Sequence, residues 1–153
     1  MPTPTDRIEK QILLRASCAR VWRALTDPTE FGAWFGVRLQ GRFTVGALVR
    51  GPLTIPGYEH VTLEITIERL DPEAFLFAYR WHPYAVDPKA DYSKEPPTLV
   101  EFRLEEVPDG TRLHVVESGF DRLPPQRRDE AFRMNDGGWT GQLRNIERHV
   151  TSR

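Results

Sequence analysis

AFRMNDGGWTGQLRNIERHV, residues 131–150, is the stretch on which the fold turns. Phe132, Trp139, Leu143, Ile146 and Val150 recur at intervals of seven, four, three and four, which puts them on one face of an α-helix. Gly137, Gly138 and Gly141 interrupt the pattern, and each glycine inside a helix costs about 1 kcal/mol relative to alanine. The apolar face runs straight through them. The spacing therefore predicts one long helix with a kink near Gly137-Gly138, two abutting helices being the alternative. The glycines read as removed side chains, letting a strand or loop pack closely or leaving space beside Trp139 for a ligand. Close packing is preferred because it needs no ligand, and Gly138→Leu is then expected to destabilise.

A helix with one apolar face needs a surface to cover, and the preceding sequence supplies a sheet. Residues 7–15 read as a first strand. Ser17 suits a helix N-cap before Val21, Trp22 and Leu25, and Asp27-Pro28 opens a second short helix through Phe31 and Trp34. Segments 37–43 and 47–53 read as strands about a turn at Thr44-Val45-Gly46. Residues 59–70 alternate cleanly, with Val61, Leu63, Ile65 and Ile67 on one face. Residues 75–81 place Phe75, Phe77, Tyr79 and Trp81 together. Residues 98–107 and 111–120 flank the hairpin signal Pro108-Asp109-Gly110. Between 75–81 and 98–107, residues 82–97 are polar and proline-rich and read as a loop. The expected architecture is α+β: a curved antiparallel sheet of about six or seven strands wrapped round the C-terminal helix, with two short helices after the first strand.

Composition bounds the function. The chain has 153 residues, enough for one domain, taken as 1–153. Its formal net charge of -1 gives no broad attraction to nucleic acid or anionic membrane. Cys18 is the single cysteine, which excludes an internal disulfide and suggests a reduced, cytoplasmic setting. Cys18 itself reads as a small buried residue. The start, MPTPTDRIEKQ, lacks the apolar core of a signal peptide, and no apolar run reaches the roughly 20 residues of a spanning helix.

Specific residues carry a family likeness. Ser17-Cys18-Ala19-Arg20-Val21-Trp22-Arg23-Ala24-Leu25-Thr26-Asp27-Pro28, Trp34-Phe35, Leu70-Asp71-Pro72, Phe77-Ala78-Tyr79-Arg80-Trp81, residues 111–120 and Gly138-Trp139 with Leu143 follow in a characteristic order. They resemble the START-like (SRPBCC) helix-grip superfamily, and within it the branch named for activators of the 90-kDa heat-shock chaperone ATPase. The resemblance runs from about Asp6 to Val150. It implies a cavity between sheet and helix that takes a small apolar or amphipathic molecule. It also implies two alternatives: an enzyme of cyclase or dehydratase type using that cavity, or a stress-related chaperone-interaction module. The family's eukaryotic cochaperones carry a separate chaperone-binding domain, for which this length leaves no room. A bacterial monomer or weak homodimer without a cofactor is expected.

The candidate cavity lining is Trp34, Phe77, Tyr79, Trp81, Phe102, Glu117, Trp139 and Leu143, with loop 83–97 as a candidate lid. Each aromatic reads equally as core. Glu117 shares a register with Leu113 and Val115, so its carboxylate should point inward and titrate above an ordinary glutamate, near 4.3. The plainer readings are that a bulge near Gly119 turns it to solvent, or that an arginine satisfies it. Glu117 and Tyr79 are the only candidates for proton transfer. His60, His82, His114 and His149 form no cluster by spacing, so no metal site is expected. Arg127-Arg128 and Arg144/Arg148 read as a solvated helix face.

Overall fold

A computed structural model of the protein describes residues 6–87 and 89–151. Residues 1–5, which open the segment read for a leader, and Pro88 of the expected lid lie outside the described residues.

The chain begins with strand β1 (Arg7–Leu14) and two helices, α1 (Cys18–Thr26) and α2 (Pro28–Phe35). Their boundaries follow from capping. The Ser17 hydroxyl accepts from the Arg20 N–H at 3.1 Å. Asp27 closes α1 and caps α2, its carboxylate accepting from the N–H groups of Thr29 and Glu30 at 2.9 and 3.1 Å. Pro28 fills the first turn, where a missing N–H costs nothing. Gly32 allows the Val37 carbonyl to fold back on α2, since a Cβ there would meet Val37 O at 2.2 Å.

Strands β2 (Leu48–Pro52), β3 (Thr62–Asp71), β4 (Leu76–Trp81), β5 (Thr98–Val107) and β6 (Gly110–Ser118) follow. A 3₁₀ turn (Phe120–Arg122) leads into helix α3 (Pro125–Thr151). The sheet is curved and wholly antiparallel, in the order β1-β6-β5-β4-β3-β2. β1 closes onto β6 from the far end of the sequence, pairing Ile8 with Glu117 and Ile12 with Leu113.

Segment 37–43 does not form the expected strand. It meets β2 and the residue that follows it through isolated bridges, Gln40–Arg50 and Val37–Leu53. Arg38 N–H donates to Pro52 O at 2.9 Å, but Pro52 has no N–H to return the bond, so the ladder stays open. Phe75 departs from the aromatic face assigned to it. It precedes β4 with φ 52° and sets its ring edge-on to Trp22, 5.8 Å away. A register shift between Ile67 and Arg69 breaks the alternation of β3, leaving Glu68 and Arg69 both exposed.

α3 runs unbroken from Pro125 to Thr151. It buries Ala131, Trp139, Leu143, Ile146 and Val150 against the sheet and the short helices. Its glycines do not serve close packing. Gly137, Gly138 and Gly141 are exposed, and a Cβ at any of them would meet nothing within 4 Å. They sit on the outer face, opposite the buried stripe, so neither a neighbouring strand nor a ligand beside Trp139 explains them.

The interior between α3 and the sheet is an aromatic stack. Trp139 lies 5.8 Å from Trp81 and 5.6 Å from Phe102, ring centre to ring centre. Tyr79 lies 5.1 Å from Trp81, and Phe77 stacks on Phe102 at 6.0 Å. Phe31 joins this layer to α2 through Tyr79 at 6.2 Å.

Candidate functional site

The site has a floor and a cavity above it. The floor is organised by Glu117. Alternation in β6 turns Leu113, Val115 and Glu117 inward, and Glu117 has no exposed surface. Its partner set is neither solvent nor an arginine. Oε2 accepts from Trp81 Nε1 at 2.7 Å and Thr98 Oγ1 at 2.6 Å. Oε1 accepts from Trp139 Nε1 at 2.8 Å and Asn135 Nδ2 at 2.9 Å. Asn135 and Trp139 are four apart on α3, so both reach the same point from one helix face. A single carboxylate thus ties β4, β5 and β6 to α3.

Burial pushes the Glu117 carboxyl above its ordinary value, and the bonds from Thr98, Trp81, Trp139 and Asn135 pull it partly back. The donors satisfy the anion without neutralising it. This explains how a buried carboxylate persists without a cation among its hydrogen-bond partners. Tyr79 is the complementary case. Its hydroxyl is fully buried and has no hydrogen-bond partner among the described residues, and burial together with the nearby Glu117 charge raises it well above an ordinary tyrosine.

The cavity, of about 460 Å³, lies over Trp81. One wall comes from residues 53–64, including Leu53, Ile55, Tyr58, Val61 and Leu63. The opposite wall is loop 82–93, with His82, Tyr84, Val86, Asp91 and Tyr92. Phe35 closes one end, and Met134, Asn135 and Gln142 reach in from α3. Asn135 and Trp81 belong to both parts, so Glu117 holds the underside of the cavity in place. Gln142 is fixed by donating to the Phe35 carbonyl at 2.8 Å.

All eight residues expected to line the cavity are buried, and they come together in one core. Trp81 lines the cavity. Trp34, Phe77, Tyr79, Phe102, Glu117, Trp139 and Leu143 lie in the packed layer outside its lining. The Trp34 indole is occupied elsewhere, donating to Ala24 O at 2.9 Å.

Loop 82–97 is held down by a residue the sequence reading placed in solvent. From the first turn of α3, Arg127 donates to both carboxylate oxygens of Glu95 at 2.9–3.1 Å. It also donates to Tyr84 O at 3.0 Å and Pro83 O at 2.9 Å, and its guanidinium lies 4.6 Å from the centre of the Tyr92 ring. A five-donor planar fork suits this task as an ammonium would not. No sequence signal separates Arg127 from Arg128 beside it. A readable signal existed for Asn135, a polar residue one turn before Trp139 on the apolar face.

The histidines remain dispersed. His114 Nε2 is 3.4 Å from Glu105 on the outer sheet face, and His149 Nε2 is 3.0 Å from Glu30. His82 enters the cavity wall, with Nδ1 buried and without a hydrogen-bond partner among the described residues. Among the described residues no group of three or more His, Cys, Asp or Glu side chains could hold a metal ion. No helix among them is long and apolar enough to cross a membrane.

Comparison with known proteins gives a consistent match. The model of the activator of Hsp90 ATPase homolog 1-like family matches residues 15–151. Protein MLL2253 of Mesorhizobium loti shares 21% identity over 94% of this chain and 96% of its own, with a TM-score of 0.73. The Aha1 dimer of Colwellia psychrerythraea matches at 16% identity over 95% and 96%, with a TM-score of 0.71. DynU16, a protein in the dynemicin biosynthetic locus, matches at 22% identity over 97% of this chain but 48% of its own, with a TM-score of 0.74. At these identities the structures share the fold alone. No curated protein matches the chain.

Proposed function

The chain belongs to the activator of Hsp90 ATPase homolog 1-like family, and from that premise we propose that it binds a small apolar or amphipathic molecule in the cavity over Trp81. The family's fold is that of ligand-binding domains in general. The observation that carries the proposal is the cavity of about 460 Å³, a size suited to a small organic ligand, walled by aliphatic and aromatic side chains with a few polar groups among them. Burial of apolar ligand surface there supplies the driving force, about 25 cal/mol per Å².

Two features weigh against the other readings. Glu117 and Tyr79, the proton-transfer candidates, lie outside the cavity lining, and the Glu117 oxygens are taken up by protein donors. A chaperone-docking surface needs a contiguous exposed apolar patch. The exposed large apolar residues among those described are Val45, Leu48 and Met134, the last in the cavity wall.

The test is fluorescence titration with the neutral dye N-phenylnaphthylamine. The expected result is saturable binding at one site, abolished by Ala85→Trp, which fills the cavity from the loop wall. Dye that fails to bind, or that binds the filled variant unchanged, contradicts the proposal.

A further inference from the structure

The helical wall of the cavity carries a hydrogen-bonding preference, and the step from it to a ligand rests on the binding function proposed above. Helix α3 lends Met134, Asn135 and Gln142 to the lining. Gln142 is committed at both ends: Nε2 donates to the Phe35 carbonyl at 2.8 Å, and Oε1 accepts from Asn145 Nδ2 at 3.0 Å. Asn135 is committed at one end. Its Nδ2 lies 2.9 and 3.1 Å from the two oxygens of Glu117. Those oxygens are acceptors, already receiving the indole N–H groups of Trp139 and Trp81. The donor end of the amide must therefore face them, which fixes which end of the side chain is which. The carbonyl end, Oδ1, is turned away from the floor.

Oδ1 is accessible as well as unbonded. Among the described residues, the hydrogen bonds of the Asn135 side chain are those to Glu117. The buried side-chain polar atoms left without a partner are Tyr79 Oη and His82 Nδ1, and Asn135 Oδ1 is not one of them. An unbonded atom outside that pair keeps accessible surface, and the open space that half-buried Asn135 borders is the cavity. Trp81 fixes where in the cavity this acceptor lies. Its Nε1 donates to Glu117 Oε2 at 2.7 Å, the same oxygen that Asn135 Nδ2 approaches at 3.1 Å, so the amide sits beside the indole edge. Other acceptors of the lining are engaged or wet. The Tyr58 and Tyr84 hydroxyls bond each other, and the Tyr92 hydroxyl accepts from the Asp87 N–H at 3.1 Å. The Glu64 and Asp91 carboxylates are exposed, where water competes for any donor.

From the fixed amide of Asn135, its open carbonyl and the adjoining face of Trp81, we infer that the ligand is an apolar molecule bearing a hydroxyl or N–H donor. That donor is received by Asn135 Oδ1, while the ring or hydrocarbon body lies over Trp81. A ligand with acceptors alone, such as an ether, takes water from the carbonyl without replacing its bond and is held less tightly. Asn135 is thus the residue that sets specificity in the cavity.

Three probes with one ring system separate the claims: naphthylethanol, its methyl ether and ethylnaphthalene, each competed against the neutral dye on the wild-type protein. The alcohol is expected to bind at least about threefold tighter than the ether, although the ether is the more apolar. In Asn135→Ala the alcohol is expected to lose that lead, while ethylnaphthalene keeps its wild-type affinity and so reports an intact cavity. A second measurement needs no variant: the side-chain amide resonances of Asn135 in the wild-type protein should shift further with the alcohol than with the ether. Where ethylnaphthalene binding falls in the variant as well, these resonances decide. Equal affinities for alcohol and ether, or tighter binding of the ether, overturn the donor assignment and leave the cavity proposal standing. A lead that survives Asn135→Ala, or amide resonances that respond alike to both probes, overturns it too, by placing the recognition elsewhere. If the dye binds and none of the three displaces it, the donor assignment also fails; if nothing binds at all, the cavity proposal fails with it.

Discussion

At the scale of the residue, Glu117 and Tyr79 show opposite solutions to burying a polar group. Among the described residues Glu117 has four donor side chains, and the Tyr79 hydroxyl has no hydrogen-bond partner. Removing the carboxylate strands two indole N–H groups and a hydroxyl, each costing about 1–3 kcal/mol when buried and unpaired. Glu117→Ala is accordingly expected to lose at least about 3 kcal/mol in chemical denaturation. Tyr79→Phe removes an unpaired group, so denaturation should show stability unchanged or raised by about 1 kcal/mol. The raised pKa of Glu117 also fixes a sign. The native state holds this proton where the unfolded chain has released it. Stability from the site is full below the unfolded value, near 4.3, and falls as pH rises through the folded value. Glu117→Gln has no such proton. The stability difference between wild type and Glu117→Gln should shrink with rising pH across that window and stay flat outside it. A difference that widens with pH would reverse the assignment. Register alone made the inward direction of Glu117 legible in the sequence. Its partners were not, because Trp81, Thr98, Asn135 and Trp139 come from three elements that only the folded sheet and helix bring to one point.

At the scale of the element, α3 separates what periodicity reveals from what it hides. Its buried face follows the apolar spacing through Leu143, Ile146 and Val150. The glycines on the other face were misread, since a missing side chain looks the same in sequence whether it faces a strand or water. With open space at Gly138, Gly138→Ala should stabilise by about 1 kcal/mol through helix propensity alone, and thermal melting checks it. Gly138→Leu should raise the melting temperature as well; a fall would restore the close-packing reading. The loop 82–97 depends on the same helix. Arg127→Ala removes the clamp on Glu95, Tyr84 and Pro83, and amide hydrogen exchange in residues 84–95 should then speed up at least tenfold while β5 and β6 stay protected. Exchange unaltered in the loop would show that other contacts hold it.

At the scale of the molecule, one open antiparallel sheet grips one long helix, and the aromatic layer between them fills most of the space where a ligand was expected. The cavity lies to one side, over Trp81, because Phe77, Phe102, Trp139 and Leu143 already occupy the centre. The order of elements was legible from alternation, capping signals and turn residues. The strand over 37–43 was not excluded by its pattern, since the obstacle is a proline in the segment opposite. The cavity walls were least legible, being supplied by Tyr58, His82, Tyr84 and Tyr92 in irregular segments without periodicity. The central claim is that this cavity, and no other part of the molecule, receives the ligand. It is tested most directly by the indole N–H resonances of Trp22, Trp34, Trp81 and Trp139 during titration with naphthylethanol. The account predicts that Trp81 shifts most, that Trp139 follows weakly through Glu117, and that Trp22 and Trp34 stay in place. Movement of Trp22 or Trp34 with Trp81 unmoved, or no movement at saturating probe, would contradict it.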